Sequence, residues 1–86
     1  MRVDSAAPVL TVYSRSYCHL CDEMIAGLQA LQVRHRFELR IVDVDAEAAL
    51  GERYGERVPV LVHGGRELCH YHLDLPAVTE YLVKIG

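Results

Sequence analysis

Two cysteines and a histidine stand together in the tetrapeptide Cys18-His19-Leu20-Cys21, the part of this 86-residue chain whose residue types and spacing best suit chemistry. Residues three positions apart share one face of a helical turn, with about 5 to 6 Å between their Cβ atoms. A disulfide needs a Cβ separation of roughly 3.5 to 4.5 Å, so a small local adjustment lets Cys18 and Cys21 bond. The spacing therefore predicts a redox-active pair of thiols.

The tetrapeptide lies where an apolar strand gives way to an amphipathic helix. The β-branched and aromatic residues of Val9–Tyr13 predict a buried strand. Apolar side chains then recur every three or four residues from Leu20 to Leu31, which predicts a helix from about His19 to Val33. Cys18 is thus expected at the helix start, where unpaired N–H groups and the positive end of the helix dipole favour a thiolate. Such a thiolate suits reversible exchange because it is also a good leaving group.

His19 lies between the two thiols. Its charged form would stabilise a thiolate at Cys18 and make the disulfide more oxidising, so His19 is predicted to tune the ionisation of Cys18. The alternative is an ordinary solvated histidine.

The next segment predicts a second strand and a short helix. Apolar residues alternate with charged ones from Phe37 to Ile41, and the strand is expected to end at Asp43 or Asp45. A strand, a helix and a strand in about 35 residues form a right-handed βαβ unit, so the two strands should be parallel. Asp45 is predicted to cap a second helix over Ala46–Tyr54.

The last third predicts a hairpin and a final helix. Val58–Val62 is expected to be a strand, with Pro59 near its start, where a missing N–H is tolerated. His63–Arg66 is a tight turn into a fourth strand over Glu67–Tyr71. Asp74 then caps the last helix. The predicted order is β-α-β-α-β-β-α.

Composition narrows the class of protein. The length predicts one domain over residues 1–86, with residues 1–7 as a loose tail that lacks the apolar stretch of a secretion signal. A net charge of −3 and a pI near 5.9 do not indicate nucleic-acid binding, and no apolar run is long enough to span a membrane. Three cysteines, with Cys69 far from the other two, fit a reducing cytoplasm better than a disulfide framework. We expect a monomer.

The residues around the motif resemble a known family. Tyr13–Cys21 reads Tyr-Ser-Arg-Ser-Tyr-Cys-His-Leu-Cys and is similar to the glutaredoxin pattern Tyr-Ser-Lys-x-x-Cys-Pro-Tyr-Cys; Arg57–Pro59 is similar to its Thr-Val-Pro loop. The resemblance covers about residues 8–85 and is closest to small bacterial glutaredoxin-like proteins with Cys-His-Leu-Cys-Asp-Glu. It implies a thioredoxin-like α/β fold, with a four-stranded mixed sheet in the order 2-1-3-4 and helices on both faces.

The resemblance also implies a thiol–disulfide oxidoreductase that reduces protein or glutathione mixed disulfides. Cys18 would be the exposed nucleophile and Cys21 the resolving thiol. A cis Pro59 would bring the backbone of Val58 beside the cysteines to pair with the substrate main chain. No bound cofactor is expected; glutathione is a possible co-substrate, and either glutathione or a reductase would return the electrons.

Further substrate-binding residues are expected near the motif. Tyr17 is predicted to wall the thiol pocket. Arg15 would take the glycine carboxylate of glutathione, or else be a solvated loop charge, and Asp74 would meet the amino end of glutathione. The Gly-Gly pair that glutaredoxins place before the last helix is replaced by Cys69–Asp74, which leaves glutathione dependence open.

Two other functions remain open from the sequence. The same thiols could belong to a metal or iron–sulfur binding module, for which Cys69, His70 and His72 are the available completion, although no residue is assigned as a metal ligand. The fold could also be a scaffold in which the cysteines are incidental. Cys69 itself is expected to be a buried small hydrophobe or a second redox site.

Overall fold

The computed structural model describes residues 7–85, so the predicted loose tail lies outside the described residues except for Ala7. The predicted element order is confirmed, with one additional 3₁₀ turn before the second helix. Within residues 7–85, no helix has the length and apolar character needed to cross a bilayer. The elements are β1 Val9–Ser14, α1 His19–Leu31, β2 Glu38–Asp43, the 3₁₀ turn Val44–Ala46, α2 Ala48–Tyr54, β3 Val60–His63, β4 Arg66–His70 and α3 Leu75–Ile85.

The four strands form one mixed sheet in the order β2-β1-β3-β4, as the resemblance implies. β1 and β2 are parallel along their whole length, which confirms the βαβ unit. β3 runs antiparallel to both of its neighbours, β1 and β4. Val60, the first residue of β3, is opposite Tyr13 near the end of β1. The start of β3 and the end of β1 therefore lie at the same edge of the sheet.

Helices cover both faces of the sheet. α1 and α3 pack on one face, where Leu28 and Val78 meet Leu61 in the larger core cluster. α2 packs on the other face, where Tyr54 meets Val60 in a smaller cluster. Neighbouring residues of a strand point to opposite faces of the sheet. Leu61 of β3 therefore belongs to the larger cluster and the adjacent Val60 to the smaller one. Each fully buried aliphatic side chain contributes roughly 1.5 to 3 kcal/mol.

The turn between β3 and β4 depends on two glycines. Gly64 and Gly65 have φ values of +57° and +82°, a region that other L residues enter at a steric cost. Two consecutive positive φ values match the right-handed twist of the strands on either side. The predicted hairpin is confirmed, with His63 paired to Arg66.

The start of the second helix differs from the prediction. Asp43 rather than Asp45 provides the capping carboxylate: its Oδ1 accepts the N–H of Asp45 at 2.8 Å and begins the 3₁₀ turn. α2 starts only at Ala48, after Glu47, whose side chain makes no capping hydrogen bond. Asp45 does not cap because its carboxylate is held by the guanidinium of Arg15.

Candidate active site at the start of the first helix

Cys18 is the residue that caps α1. Its backbone is extended, and its Sγ accepts the backbone N–H of Cys21 at 3.1 Å. Its carbonyl oxygen accepts the N–H of Asp22 at 3.0 Å, the first hydrogen bond of the helix. A sulfur thus occupies the position that a side-chain oxygen fills in an ordinary N-cap, at the positive end of the helix dipole.

Cys18 and Cys21 form a disulfide, and their Cα atoms are 5.1 Å apart. The two residues differ in exposure, because Cys21 is 1% exposed whereas Cys18 is only half-buried. An attacking thiol, or a substrate disulfide when the pair is reduced, therefore reaches the sulfur of Cys18 more easily than that of Cys21.

The two neighbours of Cys18 both project into solvent. Tyr17 has a left-handed backbone with a φ of +58° and a fully exposed side chain, so it does not line the cleft described below, and its contact with a substrate stays a prediction. The ring of His19 lies along α1 with its Nε2 2.8 Å from a carboxylate oxygen of Glu23, four residues further on. A tuning effect of His19 on Cys18 stays a prediction.

The segment before β3 lies at the same edge of the sheet as Cys18. The Val58–Pro59 peptide bond is cis, and Pro59 is fully buried. Tyr71, the residue after β4, holds this segment at two points: its N–H donates to the carbonyl of Pro59 at 2.9 Å, and its hydroxyl donates to the carbonyl of Glu56 at 3.0 Å. Sequence reasoning treated Tyr71 as an ordinary strand residue and missed this contact.

Arg15 joins three segments around the site. Its Nε and Nη2 each donate to one oxygen of the Asp45 carboxylate at 3.1 Å, and its Nη1 donates to the carbonyl of Gly55 at 3.2 Å. Gly55 is buried, and a Cβ there would lie 3.0 Å from Nη2 of Arg15. The guanidinium that the sequence assigns to a substrate carboxylate is therefore already paired within the chain, and we name this arrangement the Arg15 clamp.

A second ion pair ties the segment before Pro59 to β4. The guanidinium of Arg57 donates to one carboxylate oxygen of Glu67, and the other oxygen lies 2.8 Å from Nδ1 of His70. The hydrogen bond from Arg57, supported by the weaker effect of His70, holds the pKa of the Glu67 carboxyl below its ordinary value against the opposing effect of burial. The charge of Arg57, like that of Arg15, is paired with a carboxylate of the same chain.

A cleft of about 240 Å³ opens beside the motif, between the first turn of α1 and the segment that follows β4. Asp74, just beyond this segment, caps α3 as predicted, because its Oδ1 accepts the N–H of Ala77 at 3.2 Å. Its contact with a substrate stays a prediction. The cleft is lined by Leu20, Glu23, Met24, Tyr71, His72 and Leu73.

Cys69 does not join the other two thiols. It lies in β4 opposite Leu61 and packs, half-buried, against the larger core cluster. Burial raises the pKa of its thiol. Among residues 7–85, no three side chains of His, Cys, Asp or Glu stand close enough together to hold a metal ion, so Cys69, His70 and His72 do not complete a site with the disulfide pair.

Comparisons with known proteins agree with this architecture. The model of the Glutaredoxin-like domain (DUF836) matches residues 9–83. The solution structure of protein Ne2328 from Nitrosomonas europaea is 43% identical, has a TM-score of 0.82 and covers 95% of this chain and 99% of its own. Protein XcR50 from X. campestris is 37% identical with a TM-score of 0.72, covering 87% of this chain and 96% of its own. The thioredoxin Deadhead of Drosophila melanogaster, at 23% identity and a TM-score of 0.60 over 93% of this chain and 82% of its own, shares the fold.

Proposed function

This chain belongs to the Glutaredoxin-like domain (DUF836) family, and on that premise we propose that it is a thiol–disulfide oxidoreductase whose reacting groups are Cys18 and Cys21. One observation carries the proposal: the disulfide lies at the amino end of α1, with the more exposed sulfur at the capping position and the other buried. A nucleophile must be reached by its substrate, whereas a resolving thiol needs to reach only its neighbour.

The reaction starts from the reduced pair. The Cys18 thiolate attacks one sulfur of a substrate disulfide, and the first substrate thiol leaves with a proton. Cys21 then loses its proton and attacks the Cys18 sulfur of the mixed disulfide, which releases the second substrate thiol. The substrate disulfide gains two electrons and two protons, and the pair becomes the observed disulfide. A reductase or glutathione returns the electrons.

The segment at Val58–Pro59 is proposed to align the substrate. Its support is its position at the sheet edge that carries Cys18, and the contacts that hold it there through Tyr71 and the Arg15 clamp. Holding the substrate main chain beside the nucleophile lowers the entropic barrier to exchange. The exposed ring of Tyr17 adds a contact for a protein substrate.

A reducing cytoplasm suits this role, because such a compartment keeps the pair in the reduced, attacking form. The chemistry needs one copy of the chain, and we propose that it acts as a monomer.

The test is exchange activity in matched cysteine variants. Reduction of hydroxyethyl disulfide with dithiothreitol as electron donor should fall to the uncatalysed rate in Cys18→Ser. Reduced Cys21→Ser, freed of dithiothreitol and then treated with hydroxyethyl disulfide, should retain the mixed disulfide on Cys18, visible by mass. Cys69→Ser is the control and should keep the wild-type rate. Full activity in Cys18→Ser contradicts the proposal.

The redox equilibrium gives a second test. We expect the pair to equilibrate with a glutathione buffer at about −200 to −270 mV, the range of glutaredoxins and thioredoxin. Thiol alkylation followed by mass measurement reads the fraction oxidised. Failure to form the Cys18–Cys21 disulfide at any buffer ratio contradicts a two-thiol mechanism.

A further inference from the structure

We infer that the site selects its substrate by charge and accepts neutral or cationic disulfides, such as a protein cysteine with a lysine or arginine beside it, in preference to the anionic disulfide of glutathione. The inference rests on the proposed function and names its substrate class. Its basis is that the two arginines nearest the disulfide are already paired within the chain.

The two arginines that flank the reacting segments are both neutralised. Arg15, three residues before Cys18, gives two donors to Asp45 and a third to the carbonyl of Gly55. Arg57, two residues before Pro59, is paired with a carboxylate of β4. An arginine binds a carboxylate best through its two-donor fork, and at Arg15 that fork is occupied.

The start of α3, which follows the segment lining the cleft, is also a poor anion site. Helix N-termini normally attract anions through unpaired N–H groups and the helix dipole. Here the N–H of Ala77 is taken by the Asp74 carboxylate, and Pro76 has no N–H to offer. An approaching carboxylate meets the negative charge of Asp74 instead.

The cleft beside the motif has the features of a site for a cationic side chain. Leu20, Met24 and Leu73 provide apolar wall for the stem of a lysine or arginine. Glu23 lies in the same cleft and its partner is the exposed ring of His19. A substrate cation can share or replace that partner, because this pair has a single contact and is more exposed than the Arg15 clamp, with side chains 86% and 58% exposed against 41% and 53%.

The test is single-turnover oxidation of the reduced protein by symmetric disulfides that differ in charge: cystamine, which is cationic, hydroxyethyl disulfide, which is neutral, and dithiodiglycolate and glutathione disulfide, which are anionic. Each reaction consumes one disulfide and yields two substrate thiols and the protein disulfide. Each rate is divided by the rate of the same disulfide with uncharged dithiothreitol, which removes differences in intrinsic reactivity. Thiol alkylation and mass measurement follow the reaction.

We expect the normalised rate for cystamine to exceed that for the anionic disulfides by about tenfold at low salt, and the ratio to shrink in about 0.5 M NaCl. Glu23→Gln should narrow the ratio about threefold, the effect of one exposed charge. The matched control is Glu80→Gln, in a separate cleft between β4 and α3, which should leave the ratio unchanged.

The possible outcomes separate this inference from the proposed function. Equal normalised rates for all four disulfides, or a preference for the anionic ones, overturn the charge selection while leaving the oxidoreductase intact. A ratio that moves equally in Glu23→Gln and Glu80→Gln also overturns it, because net charge then explains the effect. A wild-type rate with hydroxyethyl disulfide no greater than that of Cys18→Ser overturns the proposed function, and the charge selection with it.

Discussion

Cys18 and Cys69 are the same residue type in opposite surroundings. The sulfur of Cys18 stands half-buried at the amino end of α1 and accepts an N–H of the first helical turn. Cys69 lies within β4 and packs against the larger core cluster, where burial raises the pKa of its thiol. A backbone hydrogen bond from Asp74 opposes that shift, but burial outweighs it.

The difference teaches that the local backbone decides which groups surround a thiol, and thereby whether they favour or oppose its ionisation. The first turn of a helix has N–H groups without partners in the helix, and they point toward the capping residue. In a strand, the N–H groups donate to the neighbouring strand, so few of them are available to a thiol on that strand.

The largest expected effect is the difference in reactivity between the two thiols. In the fully reduced protein at neutral pH, iodoacetamide should modify Cys18 about tenfold or more faster than Cys69, because the helix start favours a thiolate and burial opposes one. Peptide mapping after timed quenching measures both rates in the same sample. Denatured protein is the control, in which the two rates should converge. Equal modification rates for Cys18 and Cys69 in the folded protein would contradict the expected difference in thiolate formation.

The next effect comes from the Arg15 clamp. Arg15→Lys keeps the charge but loses the two-donor fork to Asp45, so we expect exchange to slow about three- to tenfold and stability to fall by about 1 kcal/mol. The matched control is Arg66→Lys on β4, where the guanidinium stacks on Tyr81. The rate of hydroxyethyl disulfide reduction and urea unfolding measure the two effects. A similar loss of rate in both variants contradicts a positioning role for Arg15.

Tyr71, the residue after β4, tests whether this part of the chain contributes to the site although Cys69 does not. Tyr71→Phe removes the hydroxyl that donates to the carbonyl of Glu56, at a cost of about 1 kcal/mol. We expect a several-fold rise in KM for a peptide disulfide and an unchanged redox equilibrium with glutathione, because the thiols themselves are not touched. Tyr81→Phe is the control: it loses a hydroxyl on α3 that is hydrogen-bonded to His63, the last residue of β3. A shifted redox equilibrium in Tyr71→Phe would mean a structural effect on the disulfide.

The smallest effect concerns the pH dependence of stability through Glu67. Its folded-state pKa is lowered, so its contribution is present above the ordinary value of 4.5 and is lost as the pH falls through the folded-state pKa. Glu67→Gln should therefore be less stable than the wild type at pH 7, by less than about 1 kcal/mol for a partly exposed pair, and the gap should close in acid. Urea unfolding at both pH values measures it, with Glu52→Gln on α2 as the control. A difference in stability between wild type and Glu67→Gln that widens in acid would contradict the lowered pKa of Glu67.

Much of the fold was predictable from the sequence because it rests on local pattern. The change in hydrophobic period at Cys18 predicted β1 and α1, and their limits differ from the structure by no more than two residues. The hairpin was equally clear, because two adjacent glycines permit the required positive φ values. Asp74 was correctly predicted as a cap, since capping involves only residues three positions away.

The errors at Asp45 and Tyr71 share a cause, which is a partner far away in the chain. Asp45 was predicted to cap a helix but instead binds Arg15, 30 residues earlier. The same pairing engages the guanidinium that was expected to bind glutathione. The role of Tyr71 was missed because both of its partners, the carbonyls of Pro59 and Glu56, lie more than ten residues earlier in the chain. No local pattern in the sequence marks Tyr71, because its contacts form only when the segment before β3 packs beside the end of β4.

The sequence alone determined the cysteine pair, the order of the elements and the start of α1 at the motif, because these depend on spacing within one or two turns of chain. The tertiary structure decided which sulfur is buried, which arginines remain available and which residues hold Pro59 in place. Those properties depend on contacts between segments that are distant in the chain, and a carboxylate or carbonyl that occupies a guanidinium cannot be recognised from the residues beside it.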